Sequence, residues 1–339
     1  MRTARIKADG VGYYHCMSRI IERRMILGDV EKERLLDLML NLAAFGGLEI
    51  LTYAFMSNHF HILIHVPENH EITDEELFRR LRFIYSALAV TMIRTQLLAY
   101  RREGNDSAAA SLRNRYTYRM HDISEYFKAF KQQFAQYYNT REGRTGPLWE
   151  QRFKSILVEK SSDALLTMAA YIDLNPIRAG LVGDPKDYRF CGYGAALGGS
   201  VVARQGLCRL VQSALGSDAA IWTTTRTAYR QRLYIQGRQK GVDPDGRPIR
   251  QGFSPEAVAA VVESGGTLPL HEVLRCRVRY FSDGLVLGSR EFVDGVFARY
   301  RTHFGPKREH GARAMRFGEW QDLCTLRDLR LSPVVRYSA

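Results

Sequence analysis

The first half of the chain changes hydrophobic period several times, and each change marks an element. From His59 to Val66 the odd positions read His59, His61, Leu63 and His65 and the even ones Phe60, Ile62, Ile64 and Val66. Such alternation predicts a strand with two chemically distinct faces. Tyr13 to Met17 behind Gly12, Leu48 to Phe55 and Phe153 to Glu159 read as three more strands, with Met56-Ser57-Asn58 as a turn. Between Glu31 and Phe45 leucine recurs at 35, 36, 38, 40 and 42, a helix stopped by Gly46-Gly47. Thr73-Asp74-Glu75-Glu76 is a capping box that predicts one long helix towards Ala99, followed by a loop over Glu103 to Ala110. Asp122-Ile123-Ser124-Glu125 opens a helix through Phe127, Phe130, Phe134 and Tyr138 that ends by Gly143. Ser161-Ser162-Asp163 caps the next, Ala164 to Leu174. Pro176 stops it, because the residue before a proline is pushed out of the helical region.

The order βαββαβ plus a final helix predicts an α+β fold: a ferredoxin-like, split βαβ sheet with helices on one face. The glycine-rich stretch from Gly192 to Gly206 reads as a boundary. Residues 1–195 then form one domain, and 206–339 a mostly helical extension with a DNA-binding or accessory role.

Composition narrows the class. The 339 residues are 45% hydrophobic, enough for a large core, and no window reaches the roughly 18 apolar residues of a membrane span. The N-terminus has charges but no apolar segment of a secretory signal, so a cytoplasmic, nucleoid-associated place is expected. Five scattered cysteines, Cys16, Cys191, Cys208, Cys276 and Cys324, contain no CxxC pair and suit neither a disulfide framework nor a thiolate zinc site.

The formal charge of +13 points to a polyanionic partner, since Lys and Arg on phosphates release condensed counterions. Nine arginines and only two acidic residues lie between Arg79 and Arg119, a local balance of +7. Arg79, Arg80, Arg82, Arg113 and Arg115 are candidates there for DNA contact, because the planar guanidinium donates two parallel hydrogen bonds to a phosphate. Arg152 and Lys154 alternate with Phe153 and Ser155 and join the candidates as the basic face of a strand. Basic residues interleaved with aromatic rings suit a single-stranded nucleic acid groove.

His59 and His61, two apart on a strand, point to one face. Both imidazoles can then reach one divalent ion at about 2.0–2.2 Å. The same spacing suits two histidines of a half-buried strand, and alone leaves both readings open. No Walker loop and no GxGxxG is present, so nucleotide hydrolysis has no support.

Three motifs occur in order: Met56-Ser57-Asn58-His59-Phe60-His61-Ile62-Leu63, then Gly146-Pro147-Leu148-Trp149-Glu150-Gln151-Arg152-Phe153-Lys154-Ser155, then Tyr171-Ile172-Asp173-Leu174-Asn175-Pro176-Ile177-Arg178-Ala179-Gly180. Over roughly residues 10–195 the chain thereby resembles the single-tyrosine HUH transposases of the insertion-sequence type, above all the REP-associated tyrosine transposases. The resemblance implies an HUH endonuclease fold and cutting of single-stranded DNA by a tyrosine, which leaves a 5′-phosphotyrosine and a free 3′-OH. It implies Tyr171 as the nucleophile and Asn175, four positions on, as a third metal ligand beside His59 and His61. It also implies Mg²⁺ or Mn²⁺ as the cofactor, to polarise the scissile phosphate. Arg178 lies in the same motif and joins the expected DNA contacts. Palindromic hairpin DNA is the implied partner, with a homodimer left open. Tyr137 and Tyr138 are rival nucleophiles, although relatives often carry phenylalanine at the position like Tyr138. Two rival functions stand beside this one: a hairpin-binding regulator that does not cut, and a metal-dependent hydrolase with water as nucleophile, which needs a carboxylate near the metal.

Overall fold

The computed structural model describes residues 5–215, 221–237, 280–315 and 322–327, with 240–242, 244, 248–250, 256 and 259 as short pieces between. The expected sheet is there. Strand β1 (Gly12–Arg19) lies between β3 (His59–Val66) and β4 (Lys154–Val158), antiparallel to both, and β2 (Glu49–Phe55) pairs with β3 at the edge. The crossover helices α1 (Asp29–Gly46) and α5 (Ile123–Arg141) share one face, where the Tyr126 hydroxyl donates to the Met39 carbonyl. Their core is aromatic: Phe60 stacks on Phe127 and meets Phe130 and Trp149 edge to face. The two faces of β3 thus have separate duties. The even residues fill a core, and the odd ones turn towards α6 (Ser162–Asp173), the short α7 (Asn175–Arg178) and the helices that follow.

The segment between β3 and α5 folds differently from the long helix and loop expected. It forms α2 (Asp74–Leu81), α3 (Ala87–Arg102) and α4 (Asp106–Thr117). The chain breaks after Leu81 because the Ser86 side chain accepts from Ala89 N–H and starts a new helix, and Asn105 does the same for α4 at Ala108. These helices enclose a second core around Phe78, Leu81, Leu97 and Leu112.

The glycine-rich stretch read as a boundary is folded too. It contains α8 (Gly192–Leu197) and the start of α9 (Val201–Leu215), and its glycines permit close approach to β2. A Cβ on Gly206 would sit 2.5 Å from the Ile50 carbonyl oxygen, and one on Gly192 would sit 2.2 Å from Thr52 Oγ1. Beyond it come α10 (Trp222–Gly237) and a hairpin of β5 (Lys240–Val242) and β6 (Pro248–Arg250). They are followed by α11 (Tyr280–Asp283), β7 (Val286–Gly288), α12 (Arg290–Arg299), β8 (Arg313–Ala314) and β9 (Cys324–Leu326). Among the described residues the C-terminal part is therefore helical but also supplies strands: β7 runs parallel to β4, and the sheet reaches seven strands in the order β2-β3-β1-β4-β7-β9-β8. Cys276 and the Gly265-Gly266 turn signal lie outside the described residues.

Candidate active site

Strand pairing sets the histidines. His61 is opposite Met17 on β1, and His15, two residues back on the same face, reaches it diagonally with Nε2 2.8 Å from His61 Nδ1. Both rings are buried. Burial pushes His15 down to about 3 and His61 well below its usual range, helped in each case by nearby cationic or imidazole groups. Neutral rings require that one nitrogen donates and the other accepts. With His61 Nδ1 as donor to His15, Nε2 becomes the lone-pair nitrogen of His61. The half-buried His59 is arranged alike: its Nδ1 lies 2.7 Å from Asn58 Oδ1, which makes Nε2 its lone-pair nitrogen.

On the facing helix Tyr171 is 7% exposed. Its ring meets His61 at 5.9 Å and His15 at 6.0 Å, both edge to face, and Phe281 of α11 at 4.9 Å. The Arg178 guanidinium stands 4.2 Å from the ring centroid while donating to the Tyr171 carbonyl. Asn175 spends its Nδ2 on the carbonyls of Tyr171 and Ile172, at 3.1 Å each, and keeps Oδ1 as its lone-pair atom.

His59, His61, Tyr171 and Asn175 all line one open pocket of about 500 Å³. Two imidazoles oriented by hydrogen-bonded neighbours, with an amide oxygen, form a donor set that fits a divalent cation. Among the described residues no three His, Cys, Asp or Glu side chains could hold a metal ion, and Asn175 is an amide that lines the pocket beside the two imidazoles. The rim carries Arg19, Arg23, Arg152, Lys154 and Arg178 against Glu150 and Asp283. Arg152, Lys154 and Arg178 were legible in the sequence. His15, Arg19 and Arg23 were not, because β1 gives no period that singles out His15 or its last residue Arg19, and Arg23 comes from the turn after it.

The expected DNA contacts on α2 and α4 divide. Arg82 and Arg115 are exposed. Arg80 is buried in an ion pair with Glu76 at 2.6 Å, and Arg113 is buried against Asp74 and the Ile72 carbonyl, so neither presents a face to DNA. Arg79 is exposed but grips Glu76 with two bonds of 2.7 Å. These corrections share a cause: the acidic first turn of α2 needs internal counter-charges. Tyr138 is buried against Phe134, as packing requires, while Tyr137 takes part in a hydrogen bond from Arg141.

The last residue of α6 is a buried carboxylate. Asp173 accepts from Thr52 Oγ1, the Tyr193 N–H and the Tyr229 hydroxyl, the last at 2.6 Å. Burial pushes it up to about 6 in spite of these donors. Through it α6 is tied at once to β2, α8 and α10.

Residues 11–94 match the model of the IS200-like transposase family. That span holds His59 and His61 and ends before Tyr171. A solved structure of a REP-associated tyrosine transposase bound to a REP hairpin is similar at 16% identity with a TM-score of 0.38, over 60% of this chain and 90% of that one. No curated protein matches the chain. Over residues 11–94, from β1 into α3, the chain is thus similar to the IS200-like transposase family.

Proposed function

We propose that the protein is a divalent-metal-dependent endonuclease and strand transferase for single-stranded DNA, acting at palindromic hairpins, with residues 1–195 as the nuclease and 206–339 as its accessory part. The observation that carries the reading is convergence: the phenol of Tyr171, the imidazoles of His59 and His61 and the amide of Asn175 face one pocket rimmed by cations. In the reaction the Tyr171 oxygen attacks a phosphodiester. A phosphorus–phenolate bond forms, the bond to the 3′-oxygen breaks, and that oxygen takes up a proton equal to the one the phenol gives up. The ester energy stays in the protein–DNA link, so a second 3′-OH can reverse the step on another strand. A cation held by His59, His61 and Asn175 would polarise the phosphate, which is Mg²⁺ or Mn²⁺ chemistry at a nitrogen and amide site. Arg178 and the rim residues Arg152 and Lys154 neutralise the strand on either side, and Arg82 and Arg115 extend the basic surface over the helical insertion.

A hairpin-binding regulator that does not cut is the second reading, favoured by how little of Tyr171 is open to solvent. A hydrolase with water as nucleophile, which needs a carboxylate near the metal, is the third reading, and Glu150 and Asp283 line the same pocket. One experiment separates the three. A labelled single-stranded hairpin incubated with the protein and Mn²⁺ gives a covalent adduct on a denaturing gel if the tyrosine is the nucleophile. It gives cut DNA without adduct if water is, and uncut DNA if the protein only binds.

A further inference from the structure

Asn58, buried in the turn between β2 and β3, employs both ends of its amide. Its Nδ2 donates to the Arg23 carbonyl at 2.8 Å, and its Oδ1 faces His59 Nδ1. The same turn fastens the loop after β1 twice more through backbone bonds, from Ile20 N–H to the Asn58 carbonyl and from Leu27 N–H to the Ser57 carbonyl. Between these fastenings Glu22 and Arg23 both stand at φ 57°, the left-handed region that side-chain-bearing residues avoid. Strain of this kind persists only where the surroundings over-determine it, and it gathers at working sites.

Beyond these backbone bonds the Arg23 guanidinium has no hydrogen bond or ion pair among the described residues. Arg23 is exposed, it lines the pocket of His59 and Tyr171, and among the described residues it alone of the rim cations is unengaged in this way. Lys154, by comparison, meets Asp283 at 3.2 Å. A strained backbone that ends in an unengaged planar fork is arranged for an incoming acceptor. The acceptors that two parallel N–H donors match are carboxylates and phosphates, and of these the DNA strand of the proposed reaction carries phosphates.

We propose that Arg23 holds a phosphate of the DNA strand beside the histidine pair, and that Asn58 is a positioning residue whose single amide sets both the Arg23 backbone and the His59 ring. This rests on the DNA-cleaving reading above. It makes the Asn58 amide a coupling between strand grip and the ligand face of His59, so that losing the amide loosens both at once.

The test uses the full chain and a hairpin with a single-stranded flank. Binding is measured in EDTA over a salt series, and adduct formation with Mn²⁺ on a denaturing gel. Arg23→Gln should make the log–log salt slope shallower by about 0.7, one phosphate, and slow adduct formation about 10–100-fold. Arg23→Lys should restore the slope but only part of the rate, because it keeps the charge and loses the fork. Asn58→Ala, shown to be folded by its thermal melt, should shift the slope as Arg23→Gln does. The double variant should lose no further phosphate, as two residues serving one contact require. Glu22→Gly, which relieves a left-handed residue and leaves Arg23 in place, should keep the parent slope. An unmodified protein that forms adduct beside an Arg23→Gln with parental slope and rate overturns the inference and spares the DNA-cleaving reading. Additive slope losses in the double variant overturn the role of Asn58. An unmodified protein that neither binds nor forms adduct overturns both readings together.

Discussion

The rings of Tyr171 and His61 meet edge to face, 5.9 Å apart at 89°, across the gap between α6 and β3. The contact fixes the phenol's place without engaging its hydroxyl. Tyr171→Phe should therefore keep the packing against His15, His61 and Phe281 and change stability by no more than about 1 kcal/mol, while the covalent protein–DNA adduct disappears. Tyr138→Phe should still form it, since that ring lies buried on Phe134. Thermal melts and a denaturing gel read the two effects separately, and adduct surviving in Tyr171→Phe would move the nucleophile to another residue.

His59→Ala and His61→Ala should each abolish metal-dependent cleavage and leave hairpin binding in EDTA nearly unchanged, because the pair serves the cation while the rim arginines hold the strand. His15 does not touch the pocket, but it holds the Nδ1 of His61. His15→Phe keeps a buried ring and removes that partner, and should raise the half-saturating Mn²⁺ concentration by about 10–100-fold. A Mn²⁺ titration of adduct yield decides this, and an unshifted titration would show that His15 is only packing.

Much of this site can be read in the sequence, and the unread part has physical reasons. The period-two alternation of β3 placed His59 and His61 on one face, and four-residue spacing placed Asn175 one turn from Tyr171. Neither pattern could reveal His15, whose partnership depends on the register of β1 against β3. Arg80 and Arg113 looked like surface charge because composition counts cations without locating their counter-ions, and Glu76 and Asp74 claim both. The glycines at 192 and 206 looked like a linker because close helix–strand packing and flexible loops require the same residue.

Asp173 gives a pH-dependent stability. Its carboxyl binds a proton more tightly in the folded chain, about 6 against 3.8. Its contribution to stability is thus fully present below about pH 3.8 and is lost as the pH rises through 6. Above that pH the buried carboxylate depends on the Tyr229 hydroxyl, so Tyr229→Phe should cost roughly 1–3 kcal/mol at pH 7.5 and less at pH 5. Urea denaturation of parent and variant at both values measures the difference. An equal cost at both would show that the carboxyl does not change its protonation between them.

Two arginines with the same formal charge should fail in opposite ways. Arg152 stands exposed on the pocket rim, and Arg152→Gln should reduce the salt slope of single-stranded DNA binding by about 0.7 with little change in stability. Arg80 is buried beneath the insertion with its Nε on Glu76 and one terminal nitrogen 3.1 Å from His121 Nε2. Arg80→Gln should keep the slope and destabilise the chain. The loss should stay below the roughly 3–5 kcal/mol of a fully buried broken pair, because Glu76 retains Arg79 and is partly in water. Salt titrations and urea denaturation of the two variants form a crossed comparison, each residue silent in the assay that the other moves. If Arg80→Gln flattens the salt dependence while remaining fully stable, the insertion opens to the DNA at that point, and the ion pair with Glu76 exchanges for a phosphate on binding.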